Sequence, residues 1–239
     1  MEHAPTWFAQ LFHVDPKVDH IASALLVVVL LVVGSILAYR AVKKAAHDPL
    51  PDGKLTVRNV FELAVQSLDN LVQDTMGHHH GRHFTPIIGT IFLFIFCSNL
   101  LGTIPGFLPP TSNVNTNIAV AIVVFFLTHY YGVKEHGAGY IKHFMGPVVF
   151  LVPLMLAIEL VSHLVRPLSL TIRLYGNISG DHIVLNIFSN IWHTLGIHIP
   201  EVGIPVVFLL LGIFVSFVQA FVFSLLSMVY ISGAMAHDH

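Results

Sequence analysis

Two arginines and an asparagine stand inside an apolar run, in Arg166-Pro-Leu-Ser-Leu-Thr-Ile-Arg173-Leu-Tyr-Gly-Asn177. From Pro147 to Leu195 the chain has no lysine and only two acids, Glu159 and Asp181. An arginine near the centre of a bilayer span costs about 2.5–3.5 kcal/mol on insertion scales, so it is usually kept to face a cavity, a partner charge or an ion route. Arg166, Arg173, Asn177 and Gly180 follow at intervals of seven, four and three, which a helix gathers on one face. Snorkelling to a head-group layer is the competing role. It suits Arg166, nearer the cytoplasmic end, better than Arg173, which has apolar sequence on both sides.

Titratable groups approach Arg173 from both directions. Glu159 precedes it by fourteen residues, about four helical turns, on nearly the same face, with Ser162, His163 and Arg166 between. Beyond it, His182, Asn186, Ser189 and His193 repeat at four, three and four, on roughly the opposite side of the helix. On the last apolar segment Gly212, Ser216, Gln219 and Ser227 add small and polar groups at helical spacing, and Gln219 could bond to Arg173 or to a partner carboxylate. A continuous water channel would collapse a proton gradient. Two offset half-channels separated by a fixed positive charge would not, and His and Glu along them can relay protons.

The elements that must hold these groups are membrane helices. Of 239 residues 55% are hydrophobic and 10% charged, against about 25% charged in soluble domains. Cys97 is the lone cysteine, which excludes a disulfide framework or a Cys-based metal site. The net charge of −2 is uninformative about nucleic acid, and no nucleic-acid partner is expected. The positive charges are more telling. Arg40, Lys43, Lys44, Lys54, Arg58 and Arg82 fall between the first and second apolar segments, and Lys134 and Lys142 follow the third. The loops around 109–117 and 198–203 have none. The positive-inside rule then puts the N-terminus outside and both basic loops in the cytoplasm.

In chain order, 1–20 reads as a polar outer arm and 21–39 as a retained first span, too long for a signal-peptide core. Residues 55–75 form an amphipathic helix for the cytoplasmic interface, or for a soluble partner's surface. Gly77-His-His-His-Gly-Arg-His83 invites a metal reading. The tract has no carboxylate or thiolate companion, so a hydrated loop without metal is expected. Residues 86–107 and 117–131 form a span hairpin, followed by a Gly137–Gly139 hinge. The 147–195 run, about 49 residues, would reach about 73 Å as helix, against about 30 Å of hydrocarbon. Either it crosses twice or it lies steeply tilted. Tilt is favoured because 194–203 lacks Lys and Arg. Pro153 and Pro167 could bend it, and Gly176 and Gly180 permit close helix approach. The final helix, 204–231, is also long enough to tilt.

The stretch Pro167-Leu-Ser-Leu-Thr-Ile-Arg-Leu-Tyr-Gly-Asn177, with Gln219-Ala-Phe-Val-Phe near the C-terminus, resembles subunit a of rotary F-type ATP synthases, and the likeness covers nearly the whole chain. It implies an all-α polytopic membrane protein in a bacterial inner membrane, with its two long helices against a rotating c-ring. Its partners would be that ring, the peripheral-stalk b subunits and the rest of the complex. Arg173 would be the essential charge facing the ring carboxylate. Asn177 and Gln219 would be its polar neighbours, Glu159 the inner route, and His182 the titratable group of the outer route. One departure stands out. Many family members pair a histidine and a glutamate at the outer site, one on each long helix, whereas Gly212 occupies the place facing His182 here. Asp181 could supply the acid, though it points about 100° away from His182 around a helix.

This reading makes the chain a proton-translocating stator subunit with no cofactor and no bond chemistry of its own, since no Gly-rich phosphate loop is present. Two other classes compete. A secondary transporter would show internal repeats, and none is convincing here. A membrane scaffold would use its buried arginine only for packing.

Overall fold

The computed structural model describes residues 15, 18–44, 56–104, 106–137, 139–140, 152–195 and 203–236. Its described residues form six long α-helices and a short 3-10 turn, with no strand among them. Five helices are long and apolar enough to cross a membrane. The protein is an all-α polytopic membrane protein. It divides into two compact units, Met1–Pro109 and Pro110–His239.

The first unit holds α1 (Asp19–Lys44), α2 (Val57–Met76) and α3 (His78–Leu101). Thr56 caps α2, its hydroxyl oxygen accepting from the Asn59 N–H at 3.5 Å. Arg58 Nε donates to Glu62 Oε1 at 2.8 Å one turn on. Apolar residues recur along α3 at helical spacing, and Phe84, Ile88, Ile91, Phe92 and Ile95 form a buried stripe where α3 packs on α1 and α2.

The histidine tract is not the loop expected from its composition. Gly77, at φ +80°, is the single residue between α2 and α3, and its N–H still caps Gln73 O at 2.9 Å. The chain therefore reverses within one residue, and His78–His83 becomes the start of α3. Two contacts close this corner. A Cβ on Gly81 would lie 2.9 Å from Gln73 Cα, and Thr85 Oγ1 donates to Asp69 Oδ1 at 2.6 Å. The side chains of His78, His79 and His80 lie outside the described residues. At its far end α3 stops at Leu101 rather than near Phe107. The Gly102 N–H folds back to Asn99 O at 3.0 Å, and a Cβ there would meet Pro109 Cγ at 2.8 Å.

The second unit holds the 3-10 turn Pro110–Ser112, α4 (Val114–His136), α5 (Val152–Leu195) and α6 (Gly203–Met235). The Asn113 side chain caps α4 by accepting from the Asn115 N–H at 2.9 Å, which starts the helix three residues before Asn117. Asn117 instead donates from Nδ2 to Thr111 O at 2.8 Å. Asn117, Ala121, Val124, Thr128 and Gly132 form a buried, mostly small stripe, so α4 seats closely along both long helices. Gly137, at φ +55°, ends it.

The run through Arg173 is one unbroken helix of 44 residues, about 66 Å long. Pro167 does not interrupt it, and Thr171 Oγ1 donates to Pro167 O at 2.8 Å one turn on. The alternative of two crossings between Val152 and Leu195 therefore lacks a reversal. Gly176 and Gly180 face open space, with no described neighbour within 4 Å of an added Cβ. The close approach expected of them is not made by any described helix.

Candidate functional site

The polar residues of α5 follow from its helical rotation of about 100° per residue. Leu170, Thr171, Leu174 and Ile178 are buried on one side of the helix, whereas Leu168, Ile172 and Tyr175 are exposed. Arg173 stands half-buried at the edge of the packed face. Arg166 and Ser162 repeat its direction within about 20°, and Glu159 and Asn177 lie within about 40°. Gly176 and Gly180 border the open side. No described residue forms a hydrogen bond or ion pair with Arg173. Its charge is presented at an apolar margin.

Next to Arg173, α5 and α6 are joined by an amide pair. Asn177 Nδ2 donates to Gln219 Oε1 in a short hydrogen bond. Gln219 is 3% exposed, and its Nε2 has no hydrogen-bond partner among the described residues. The Gln219 contact expected with Arg173 is thus made to Asn177, because the packed side of α6 carries Gln219 between Ser216 and Phe223. The amide pair leaves the guanidinium unengaged.

Four turns earlier along α5 is a second polar cluster. His163 Nε2 lies 3.2 Å from Glu159 Oε1. The His163 ring is 7% exposed and meets the His129 ring of α4 edge-on, at 5.0 Å between centroids. His129 Nδ1 lies 3.0 Å from Phe125 O. A carbonyl only accepts, so the His129 proton sits on Nδ1 and its Nε2 carries the lone pair. Tyr140 adds its ring 6.1 Å from His129, and burial pushes its phenol above the usual range. The Arg166 guanidinium lies 5.1 Å above the Tyr230 ring of α6, a cation–π contact. His129, His163, Arg166 and Tyr230 line a cavity of about 10 Å³, near the lower limit for one water.

The structure thus brings Glu159, His163 and Arg166 together, and pairs Asn177 with Gln219. Ser162 lies exposed on α5. The side chains of Asp181, His182, Asn186, Ser189 and His193 lie outside the described residues. His129, Tyr140 and Tyr230 were not singled out in the sequence. His129 in Leu127-Thr-His129 carried the one available signal, a lone histidine in an apolar helix, but its partners are set by tertiary packing. No group of three or more His, Cys, Asp or Glu suited to a metal ion occurs among the described residues.

A family model described as the ATP synthase A chain matches residues 21–232. The chain belongs to that family. It is 45% identical to an ATP synthase subunit a of Trichlorobacter lovleyi, over 100% of this chain and 97% of that protein. It is 46% identical to subunit a 1 of Pelobacter propionicus, over 92% of this chain and 89% of the relative. With subunit a of Geobacter sulfurreducens the identity is 43% over the same shares, 92% and 89%. Family membership makes the chain a non-catalytic, proton-translocating membrane subunit of ATP synthase.

Proposed function

We propose that this chain couples proton flow to rotation by holding Arg173 against the ring carboxylate between two offset half-channels. The observation that carries the reading is the Arg173 guanidinium, without a hydrogen-bond or ion-pair partner among the described residues, at the margin of a 44-residue apolar helix. A guanidinium stays charged in proteins, its pKa being above about 12, and offers a planar donor fork to a carboxylate. It draws an ionised ring carboxylate toward it without giving up its own proton. The same charge repels cations that would otherwise leak from one half-channel to the other. Asn177 and Gln219 hold each other, which fixes α5 against α6 beside Arg173 without neutralising it.

Exposed apolar side chains support a ring-facing surface. Leu168 and Ile172 of α5, and Leu210, Phe214 and Phe217 of α6, are exposed and present wide hydrophobic area that no described residue covers. Glu159 and Ser162 serve the inner route. Asp181, His182, Asn186, Ser189 and His193 serve the outer one, with Asp181 the acid closest in sequence to His182. Both long helices lie steeply tilted in a bacterial inner membrane, because about 66 Å of α5 and about 50 Å of α6 both exceed the hydrocarbon thickness of about 30 Å. The N-terminus is outside and the C-terminus cytoplasmic, by the distribution of Lys and Arg. The partners are the c-ring, the peripheral-stalk b subunits and the remaining subunits of the synthase.

Affinity purification from the native membrane tests the assembly. The c-ring and the soluble ATPase subunits are expected in the eluate in fixed ratio. A chain that purifies free of them, yet transports an anionic solute in proteoliposomes, would instead be a secondary transporter.

A further inference from the structure

We propose that His129 of α4 is a proton-carrying residue of the inner route, acting with His163 and Glu159 of α5. This rests on the proton-translocating reading above and adds a residue from a third helix to it. Three observations combine. The Phe125 carbonyl holds the His129 proton on Nδ1, at 3.0 Å, and so leaves Nε2 as a base. His129 meets His163 edge-on at 5.0 Å, and His163 meets the Glu159 carboxylate at 3.2 Å. The cavity beside both rings matches about one water in size and is lined mainly by apolar surface, with His129, His163, Thr128, Arg166 and Tyr230 among its lining residues.

The groups facing the pair come from every element packed on it. Glu159, His163 and Arg166 come from α5, Tyr230 from α6, and Tyr140 from the segment after α4. Arg166 cannot take part in transfer because it does not release its proton. Tyr140 keeps its phenol proton at neutral pH, since burial raises its pKa further. Among the described residues at this site, the protons exchangeable near neutrality are therefore those of the two imidazoles and the carboxylate.

During ATP-driven pumping, hydronium at the cytoplasmic mouth gives a proton to the Glu159 carboxylate and leaves water. That O–H bond breaks as the proton passes to His163 Nε2, making an imidazolium and restoring the carboxylate. The His163 imidazolium gives a proton to His129 Nε2, directly or through one water in the cavity, and the His129 imidazolium releases its Nε2 proton to water on the Arg173 side. Both rings return to neutral, and one proton has moved inward toward Arg173. Synthesis runs the same steps backward.

The test uses whole synthase complexes in inverted membrane vesicles, carrying H129Q, H129N, H163Q or the H129Q/H163Q double substitution. ATP-driven acidification is measured across pH and normalised to assembled complex. Near about pH 6.5 the single variants should pump close to wild type. By about pH 8.5, where bulk protons are scarce and collection limits the rate, they should fall roughly 3–10-fold below it. The double variant should be no slower than the slower single, since the residues act in series. Any of three results overturns the proposal: pH profiles that superimpose on wild type, equal fractional loss at every pH, or failure of all variants to assemble, which would make the pair a packing contact. None of them affects the requirement for Arg173. Conversely, a fully coupled Arg173→Ala complex would remove the underlying reading whatever the histidine variants do.

Discussion

At the scale of single residues, the Asn177–Gln219 pair joins two amides beside Arg173, which has no hydrogen-bond or ion-pair partner among the described residues. Gln219 is buried and would attract Arg173 or any nearby donor, yet its carbonyl oxygen is occupied by Asn177. Removing Asn177 leaves the buried Gln219 carbonyl oxygen without its donor, and removing Gln219 loses the same contact between the helices. Asn177→Ala and Gln219→Ala should each destabilise the assembled complex. A double-mutant cycle should give a coupling of about 0.6–1.7 kcal/mol, the range for interhelical hydrogen bonds in membranes. Thermal unfolding of the purified complex reads it, and strictly additive losses would show that the two amides do not support each other. Arg173, Asn177, Glu159 and Gln219 stand out in the sequence as site candidates because an intramembrane charge and its helical repeat are visible in any apolar run. The partner of Gln219 was not, since α5 and α6 meet there across 42 positions of sequence separation. His129 was hidden for the same reason: its ring contact with His163 spans two helices, and nothing local distinguishes it from a histidine satisfied by its own backbone.

At the scale of elements, composition misled where a glycine changed the geometry. The tract at Gly77–His83 has loop chemistry, but one residue with positive φ suffices to turn the chain, and the histidines then continue as helix. Gly81 is the element that makes this corner tight. In Gly81→Ala the added Cβ would fall 2.9 Å from Gln73 Cα, a backbone atom that cannot swing aside. Gly89→Ala, in the same helix, places its Cβ 3.9 Å from Leu68 Cδ1, an ordinary contact. Helix propensity alone favours both changes by about 1 kcal/mol. Gly81→Ala should therefore lower the thermal midpoint and expose the corner to protease, while Gly89→Ala should hold or raise it. Equal stability of the two variants would mean that the α2–α3 corner tolerates opening. Long apolar periodicity marked the helices, but not their ends: the span expected at 86–107 runs His78–Leu101, eight and six residues off. Their ends were set instead by caps, Thr56 and Asn113, and by turns at Gly102 and Gly137.

At the scale of the whole molecule, helix α4, with its small-residue stripe, braces both long helices, while α5 keeps an exposed apolar margin at Leu168 and Ile172. The transmembrane potential contributes about 2.3 kcal/mol per charge per 100 mV. On the reading proposed above, each proton's passage requires rotation, and that coupling depends on Arg173, which has no hydrogen-bond or ion-pair partner among the described residues. Lysine does not replace it: an ammonium is compact, lacks the planar fork, and loses its proton more readily on burial. Arg166, engaged with Tyr230 near the inner end, should accept lysine with far smaller effect. The most direct measurement is ATP-driven acidification and ATP synthesis in membrane vesicles carrying Arg173→Ala or Arg173→Lys, with assembly of the complex quantified separately. Both variants should assemble and fail at coupled synthesis, and Arg173→Ala should also abolish pumping. Synthesis at the wild-type rate in a fully assembled Arg173→Ala complex would contradict the account.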